Sequence, residues 1–270
     1  MDIKRYLKDR KVVIDKELDK LIPKQTEPPQ IIHKAMRYSL EGGKRARPIL
    51  CMACAEACGG SFKRVIKIAC AIEMIHAYSL IHDDLPSMDD DDYRRGRPAC
   101  HKRFGIANAI LTGDALLTFA FNILSEATEK PALNTGIIKE ISRAIGTFGM
   151  IGGQALDISK DEKDIPTLEY INIRKTGALI ASSCKTGAMA AGAKEKDVNA
   201  MFKFGEYIGF AFQVVDDILD GEGVVKIWGP KEAHKQAARS VKKAKAFVSF
   251  FGQKAKPLFE LADFILDRKK

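Results

Sequence analysis

Long hydrophobic runs are missing from this 270-residue sequence, and so is any marker of export. No stretch approaches the roughly 18 consecutive apolar residues that identify a membrane-spanning helix. The first residues, MDIKRY, are charged and have no apolar segment behind them, unlike a secretory signal. We therefore expect a cytoplasmic protein without stable membrane association.

Cysteine is too sparse for a disulfide framework, with six residues in a chain that shows no sign of secretion. Cys51, Cys54 and Cys58 share one face of a predicted helix. Three thiolates could bind a metal ion, but structural zinc sites use four ligands. Because their neighbours include Ala and Met, we interpret these cysteines as small core residues.

Nucleic-acid-binding motifs are absent too, although the net charge is +9. Residues 226–270 carry twelve Lys or Arg and four Asp or Glu, so nearly all of the excess lies there. It is spread along a predicted helix without interleaved aromatics. We interpret it as a solvent-exposed helix face and expect no nucleic-acid partner, with contact to an anionic membrane as the alternative.

Helical periodicity dominates what is present, and strict two-residue alternation is rare. Breaks fall at glycine or proline pairs such as 28–29, 42–43 and 59–60. The apolar fraction of 46% allows a large core, and no repeat or linker divides the chain. We predict an all-α fold in which residues 1–270 form one domain of about ten helices. The predicted helices cover about 2–21, 30–40, 46–58, 63–84, 103–126, 134–157, 167–190, 196–220, 230–248 and 252–268.

The most informative segment is LIHDDLPSMDDDDYRRG at residues 80–96, where six aspartates follow directly from an apolar helix. Carboxylates at this density repel one another unless a cation lies among them, and all-oxygen ligation suits magnesium. An acidic loop that only contacts solvent is the alternative, but such a loop is usually mixed with Lys, Glu or Ser. We predict a metal site here.

A second acidic cluster, DDILD at residues 216–220, ends another apolar helix. Asp216 and Asp220 are four residues apart, and Asp217 and Asp220 three apart, so their carboxylates project from one helix face. Unpaired carboxylates beside an apolar interior are costly without a metal ion. Two such helices can place their sites opposite each other across the interior of a bundle.

Basic residues that could bind metal-linked phosphates accompany both clusters. The turn GGKRARP at residues 42–48 carries three cations at the start of a helix, and Arg94-Arg95 follows the first acidic cluster. Lys175-Thr176 lies within a helical segment. Each could be a surface feature by itself, but together with two acidic clusters they predict a metal-bridged diphosphate site.

These motifs resemble those of the trans-prenyl diphosphate synthases, most closely the bacterial farnesyl diphosphate synthases (geranyltranstransferases). Asp83-Asp84, four residues, Asp89 and then RRGRP are similar to the family's first aspartate-rich motif in its bacterial form. The cluster at 216–220 is similar to the second motif, and GGQALD at 152–157 matches a further family position. The resemblance covers nearly the whole chain.

The resemblance implies an isoprenoid synthase fold, with helices around a deep central cavity, and a homodimer. Three magnesium ions would be held by Asp83, Asp84, Asp89, Asp216, Asp217 and Asp220. Isopentenyl diphosphate would be bound by Lys44, Arg47, His76 and Arg95. The allylic diphosphate, dimethylallyl or geranyl, would be bound by Arg94, Lys175, Thr176 and Gln213. Without the resemblance, His76 would be interpreted as a core histidine.

The implied reaction joins the two diphosphates head to tail. Magnesium and the cations would stabilise negative charge on the departing diphosphate, and isopentenyl diphosphate would attack the resulting allylic cation. The side chains implied in this step are Asp83, Asp84, Asp89, Arg94, Lys175 and Asp216. No side-chain base is implied, because in this family the released diphosphate is thought to take the final proton.

Product length is expected to depend on Tyr78 and Ser79, which precede Asp83 by five and four residues and would line the tunnel for the growing chain. The alternative is that Tyr78 is simply a core aromatic. An aromatic residue here, with a two-residue insertion that includes Pro86, resembles the farnesyl-producing type. We therefore expect a fifteen-carbon product, with the twenty-carbon geranylgeranyl diphosphate as the alternative.

The sequence departs from the family after Asp220, where GEGVVKIWGP runs almost directly into the next helix. The family has a longer, lysine-containing loop at this point, which is either deleted here or missing from the sequence. The need of active family members for a lid favours the second, and Lys226 is not assigned the role of a lid lysine.

The short segment keeps open a function of another class, a non-catalytic partner subunit of a prenyl synthase. The intact motifs argue against it, because such a subunit would be expected to lose at least one of them. A terpene cyclase is less compatible still, because it would not need the isopentenyl site.

Overall fold

A computed structural model describes residues 2–159 and 164–268, and thirteen α-helices account for most of them. They are α1 (Ile3–Leu21), α2 (Gln30–Leu40), α3 (Ala46–Ala57), α4 (Phe62–Asp83), α5 (Cys100–Phe104), α6 (Ile106–Ser125), α7 (Pro131–Ile145), α8 (Met150–Asp157), α9 (Ile165–Ile171), α10 (Ala178–Ala190), α11 (Glu195–Asp220), α12 (Val225–Val248) and α13 (Lys256–Leu266). A π-helix, Asn172–Gly177, joins α9 to α10, and a 3₁₀-helix, Ser249–Ala255, precedes α13. Two-residue strands β1 (Tyr93–Arg94) and β2 (Arg97–Pro98) form an antiparallel pair. The predicted all-α fold class is confirmed.

Two predicted helices are interrupted by glycine. The helix predicted for 103–126 breaks at Gly105, whose φ of +85° ends α5 before α6 begins. The helix predicted for 134–157 breaks between α7 and α8, and a Cβ at Gly149 would lie 1.9 Å from the Ala144 carbonyl oxygen. A close backbone approach that only glycine allows is not visible in a hydrophobic pattern.

The buried residues form one continuous core that includes side chains from α1 through α13. Helix α4 lies inside it, packed against α3, α6 and α10, and its fully buried residues include Ile68, Ile72 and Ile75. Burying a side chain of this size contributes about 1.5–3 kcal/mol. Because α4 and α11 both belong to this core, the acidic motif at the end of each is held on a rigid support.

Cys51, Cys54 and most lysines of α12 lie where the sequence predicts. Cys51 and Cys54 have no exposed surface, and burial raises the pKa of both thiols, which keeps them protonated. On α12, Ala233, Ala237 and Ala244 are buried, while the lysines between them face solvent. Lys269 and Lys270 lie outside the described residues.

Helices α4 and α6 are long and apolar enough to cross a membrane by length and composition. In α4 the apolar window is 67% buried inside the protein, as a core helix requires. In α6 only 33% of that window is buried, and Ile106, Ile110 and Leu111 are exposed. Helix α6 therefore presents an apolar surface that the rest of the described chain leaves uncovered.

Candidate active site

A cavity of about 920 Å³ opens between the turn before α3 and helices α4, α11 and α13. Seven of the eight side chains predicted to bind diphosphate line it, together with one aspartate of the second motif. They are Lys44, Arg47, His76, Arg94, Arg95, Thr176, Gln213 and Asp216. Residues that are distant in sequence thus meet at one chamber. Lys175 is the predicted binding residue that does not line it.

The three cationic residues of the turn before α3 have two different roles. Arg45 has a left-handed backbone with φ of +59°, and its buried guanidinium donates to Glu73 Oε1 at 2.7 Å and Asp15 Oδ1 at 2.8 Å. A Cβ at Gly43 would lie 2.3 Å from Arg45 Nη1 and 2.9 Å from Glu73 Oε1, so a larger residue there would displace this ion pair. Arg45 therefore stabilises the turn, which corrects the expectation that all three cations serve a diphosphate.

Arg47 and His76 form a pair at the cavity wall. Arg47 Nη1 donates to His76 Nε2 at 3.3 Å, and the buried Arg47 Nε has no hydrogen-bond partner. Burial, reinforced by Arg47 and Arg95, lowers the pKa of His76 well below its usual value of 6.5. The imidazole is therefore neutral and carries its proton on Nδ1, while Arg47 retains donor capacity for an anion.

The first acidic motif lies where α4 ends. Burial raises the pKa of Asp83 to about 6, the charge of Lys175 opposes this rise, and the charges of Asp89 and Asp84 add to it. The backbone N–H of Asp89 donates to the Asp83 carbonyl oxygen at 2.9 Å, which folds the loop back over the helix end. Like charges gathered around a carboxyl group that resists ionisation are the chemical setting that a divalent cation relieves.

Arg94 and Arg95 are held by the short hairpin of β1 and β2. Arg94 Nε donates to Asp84 Oδ1 at 2.9 Å, and Arg94 Nη2 donates to Asp91 Oδ2 at 2.8 Å. Arg95 has φ of +55°, and its Nη1 donates to the Glu41 carbonyl oxygen at 2.9 Å. Both guanidinium groups are thus oriented by protein acceptors at the border of the cavity.

In the second motif, Asp216 lines the cavity and forms an ion pair with Arg268. Burial and the charge of Asp220 raise the pKa of Asp216, while Arg268, Lys44 and Arg47 oppose the rise. Arg268 was not predicted as a site residue and was counted among the exposed charges of the tail. The only sequence feature that distinguishes Arg268 is its position just after the last helix. Nothing in the neighbouring sequence indicates that it lies beside Asp216.

Asp217 has a different environment from its neighbour. Its buried carboxylate accepts hydrogen bonds from Gln213 Nε2 at 3.0 Å, the Val224 backbone N–H at 3.1 Å and Asn172 Nδ2 at 3.4 Å. Gln213 Oε1 in turn accepts from Thr176 Oγ1 at 2.6 Å. Asp217 therefore orients Gln213 and Thr176 instead of facing the cavity, which differs from its predicted role as a metal ligand. Asn172 was missed, although it precedes Lys175 by one helical turn.

Lys175 lies in the π-helix, a conformation frequent at functional sites. Its Nζ binds Asp157 Oδ2 at 2.6 Å, and its charge acts on Asp83. A Cβ at Gly153 would be 2.3 Å from the Lys175 backbone nitrogen, so the close packing of α8 on the π-helix depends on this glycine. Asp157 and Gly153 belong to the GGQALD segment at residues 152–157, for which the family resemblance implied no particular role.

Tyr78 and Ser79 lie on α4, one turn before the first motif. Tyr78 is 6% exposed, its hydroxyl has no hydrogen-bond partner, and burial raises its pKa to about 12. Its ring packs edge-on against His82 at 5.8 Å, and Ser79 Oγ donates to the His76 carbonyl oxygen at 3.0 Å. Neither residue is among those that line the 920 Å³ cavity.

Comparisons with known proteins agree with this geometry. The polyprenyl synthetase family matches residues 29–237. The chain is 43% identical to a geranylgeranyl diphosphate synthase of Cyanophora paradoxa, with 97% of this chain and 95% of the relative covered. It is 40% identical to a farnesyl diphosphate synthase of Geobacillus stearothermophilus, with 97% and 89% covered. A crystal structure of an FPP/GFPP synthase from Zymomonas mobilis superposes with a TM-score of 0.93 at 36% identity, covering 98% of this chain and 99% of that one.

Proposed function

We propose that this chain, which belongs to the polyprenyl synthetase family of prenyltransferases, is a farnesyl diphosphate synthase. It would add isopentenyl diphosphate to dimethylallyl or geranyl diphosphate and release diphosphate. The observation that carries the proposal is the single cavity in which Lys44, Arg47 and Arg95 meet Thr176 and Gln213.

The cavity offers two sets of groups for two diphosphates. Isopentenyl diphosphate would bind to Lys44, Arg47 and Arg95, with the neutral His76 donating through Nδ1 or accepting from Arg47. The allylic diphosphate would bind beside Arg94, Thr176, Gln213 and Lys175, near the carboxylates of both motifs. Arg45 is not included, because its guanidinium is bound by Glu73 and Asp15.

Magnesium fits the carboxylates of this site. The raised pKa of Asp83 and the like charges of Asp84 and Asp89 around it indicate an anionic site that an all-oxygen cation would complete. We propose that Asp83, Asp89 and Asp216 are direct ligands of three magnesium ions. Asp84 and Asp220 are the further carboxylates of the two motifs. Magnesium, when bound, supplies positive charge that stabilises the leaving diphosphate.

Four cationic side chains would have separate roles in the reaction. Arg94 and Lys175 stabilise the negative charge that develops when the allylic C1–O bond breaks. Arg47 and Arg95 hold isopentenyl diphosphate so that its C4 attacks C1 of the allylic cation, and the apolar wall excludes water. The proton lost from C2 of the isopentenyl unit passes to the released diphosphate.

The experiment that tests this function is incubation of the purified chain with isopentenyl diphosphate, dimethylallyl diphosphate and magnesium. Chromatography of the dephosphorylated products should show a fifteen-carbon alcohol. A twenty-carbon product would instead support a geranylgeranyl diphosphate synthase, which the 43% identical relative favours. Activity that appears only after a second synthase is added would support the non-catalytic partner subunit.

Product length is proposed to depend on Tyr78. Its buried ring, one turn before Asp83, would stop the growing chain, because a packed interior yields little to an extra isoprene unit. Tyr78→Ala should shift the product toward twenty carbons, whereas Tyr170→Ala, a change at an exposed tyrosine, should not. The same product from Tyr78→Ala and the unaltered chain would place the stop elsewhere.

The uncovered face of α6 supports a homodimer, which we propose as the functional assembly. Ile106, Ile110 and Leu111 are exposed on this one helix. Light scattering should give twice the chain mass, and charged residues at Ile110 and Leu111 should give the monomer mass. We also propose that residues 1–270 form one domain and that the enzyme acts in the cytoplasm.

A further inference from the structure

A second group of metal-binding side chains lies beside the first acidic motif but does not line the cavity. Asp90 and Asp92 of the loop after α4 and His101 of α5 each place one potential ligand atom within 4.8 Å of the other two. We propose that these three residues bind a divalent transition-metal ion, separately from the carboxylates that would hold magnesium.

His101 provides the observation that does not depend on the acidic cluster. It is only 5% exposed, and neither of its buried ring nitrogens has a hydrogen-bond partner. Buried imidazoles are normally satisfied through at least one nitrogen, because an unpaired buried polar group is costly. One ring nitrogen faces the Asp90 and Asp92 carboxylates without bonding to either of them. An ion between the three groups would satisfy the imidazole and neutralise both carboxylates.

The donor set selects the class of metal. One imidazole nitrogen with two carboxylate oxygens suits zinc, manganese or cobalt, whereas magnesium prefers oxygen ligands alone. Asp90 and Asp92 are exposed, so water can complete the coordination. The Lys102 ammonium binds Asp92 Oδ1 at 2.6 Å, and this exposed ion pair would compete with the metal ion for one carboxylate.

Such an ion would join the two ends of the hairpin that positions Arg94 and Arg95. Asp90 and Asp92 precede β1, and His101 follows β2. The Ala99 backbone N–H already donates to the Asp92 carbonyl oxygen at 2.8 Å, so the two ends of the hairpin lie side by side. The bound metal would therefore stabilise the loop without contacting either diphosphate.

The test is calorimetric titration of the chelator-treated full chain with zinc, in millimolar magnesium that loads the other carboxylates. We expect one zinc ion per chain. His101→Gln and Asp90→Asn should each weaken binding by about tenfold or more. Asp91→Asn is the matched control, since Asp91 belongs to the same loop but pairs with Arg94. This variant, and Asp83→Asn in the first motif, should keep the wild-type zinc affinity.

Several results would overturn the proposal. One is the absence of zinc binding in magnesium, and another is equal affinity in wild type, His101→Gln and Asp90→Asn. Loss of zinc binding in Asp83→Asn alone would assign the ion to the first motif instead.

The visible absorption spectrum of bound cobalt tests the same site independently of calorimetry. Visible bands typical of nitrogen and oxygen ligation should appear in wild type and vanish in Asp90→Asn, a change at an exposed side chain that leaves the core intact. An intense thiolate charge-transfer band would assign the metal to cysteine and contradict the site.

Discussion

Both acidic motifs lie at the end of a core helix, but the second aspartate of each motif is stabilised by different partners. Asp84 and Asp217 are both buried, and burial raises the pKa of both. The Arg94 guanidinium opposes this rise for Asp84, whereas side-chain amides and one backbone N–H oppose it for Asp217. The second aspartate of the first motif is therefore held by ion pairing, and that of the second motif by hydrogen bonds from neutral groups. Identical Asp-Asp pairs in sequence thus have different roles in space.

The largest expected effect is on the first aspartate of each region. Asp83→Ala and Asp216→Ala should each lower kcat by about 10²–10³-fold or more, since each removes charge stabilisation from the departing diphosphate. Helical circular dichroism should not change. Asp9→Ala, at an exposed pair on α1, is the control. Near wild-type turnover in both site variants would contradict the assignment of a metal to these motifs.

The second aspartates should separate the two networks by stability. Asp84→Asn removes one of the two carboxylates that pair with Arg94, so of the two variants it should have the lower free energy of unfolding, by about 1–3 kcal/mol. Asp217→Asn should lower the free energy of unfolding less. The Gln213 side-chain amide can flip, so that it accepts a hydrogen bond from the new amide and donates one to Thr176 Oγ1. Urea denaturation of both variants measures the difference. An equal loss would mean that Asp217 also depends on its charge.

Asp83 should make stability depend on pH. Its pKa is about 6 in the folded protein against an ordinary 3.8, so ionisation is disfavoured by folding. The stability that the neutral carboxyl contributes is fully present below pH 3.8 and is lost as the pH rises through about 6. In the presence of a chelator, the free energy of unfolding of Asp83→Asn should therefore be about 3 kcal/mol higher than that of wild type above pH 6, with no gain below pH 3.8.

Asp216→Asn is the matched comparison for the pH experiment. It leaves Arg268 without its partner, so its gain in stability above pH 6 should be smaller than that of Asp83→Asn. Equal gains in both variants, at every pH, would show that the Arg268 ion pair contributes nothing.

The smallest expected effect concerns the hydrogen bond from Thr176 to Gln213. Thr176→Val keeps the volume but removes a donor worth about 1 kcal/mol. We expect KM for the allylic diphosphate to rise several-fold with little change in KM for isopentenyl diphosphate, measured by initial rates. Thr135→Val on the exposed face of α7 should change neither value. A larger rise in KM for isopentenyl diphosphate would mean that the two diphosphates bind in the opposite positions to those proposed.

Sequence patterns predicted the helical class, and the family resemblance predicted most of the cavity residues, but neither predicted the side-chain partners. Helical periodicity places acidic motifs at the ends of α4 and α11, and the structure confirms both helix ends. Glycine interruptions such as Gly105 were missed, because a break set by backbone conformation leaves the hydrophobic period on both sides unchanged.

Sequence alone determined which chemistry the chain carries: two carboxylate motifs, a cationic turn and the apolar helices that support them. Only the tertiary structure decided which of these charged side chains pair with distant partners. Arg45 is bound by Glu73, 28 residues away, and Asp216 is bound by Arg268, 52 residues away. The direction of a side chain depends on such distant partners, because burial makes an unpaired charge too costly to leave unmatched. Local spacing contains no record of them.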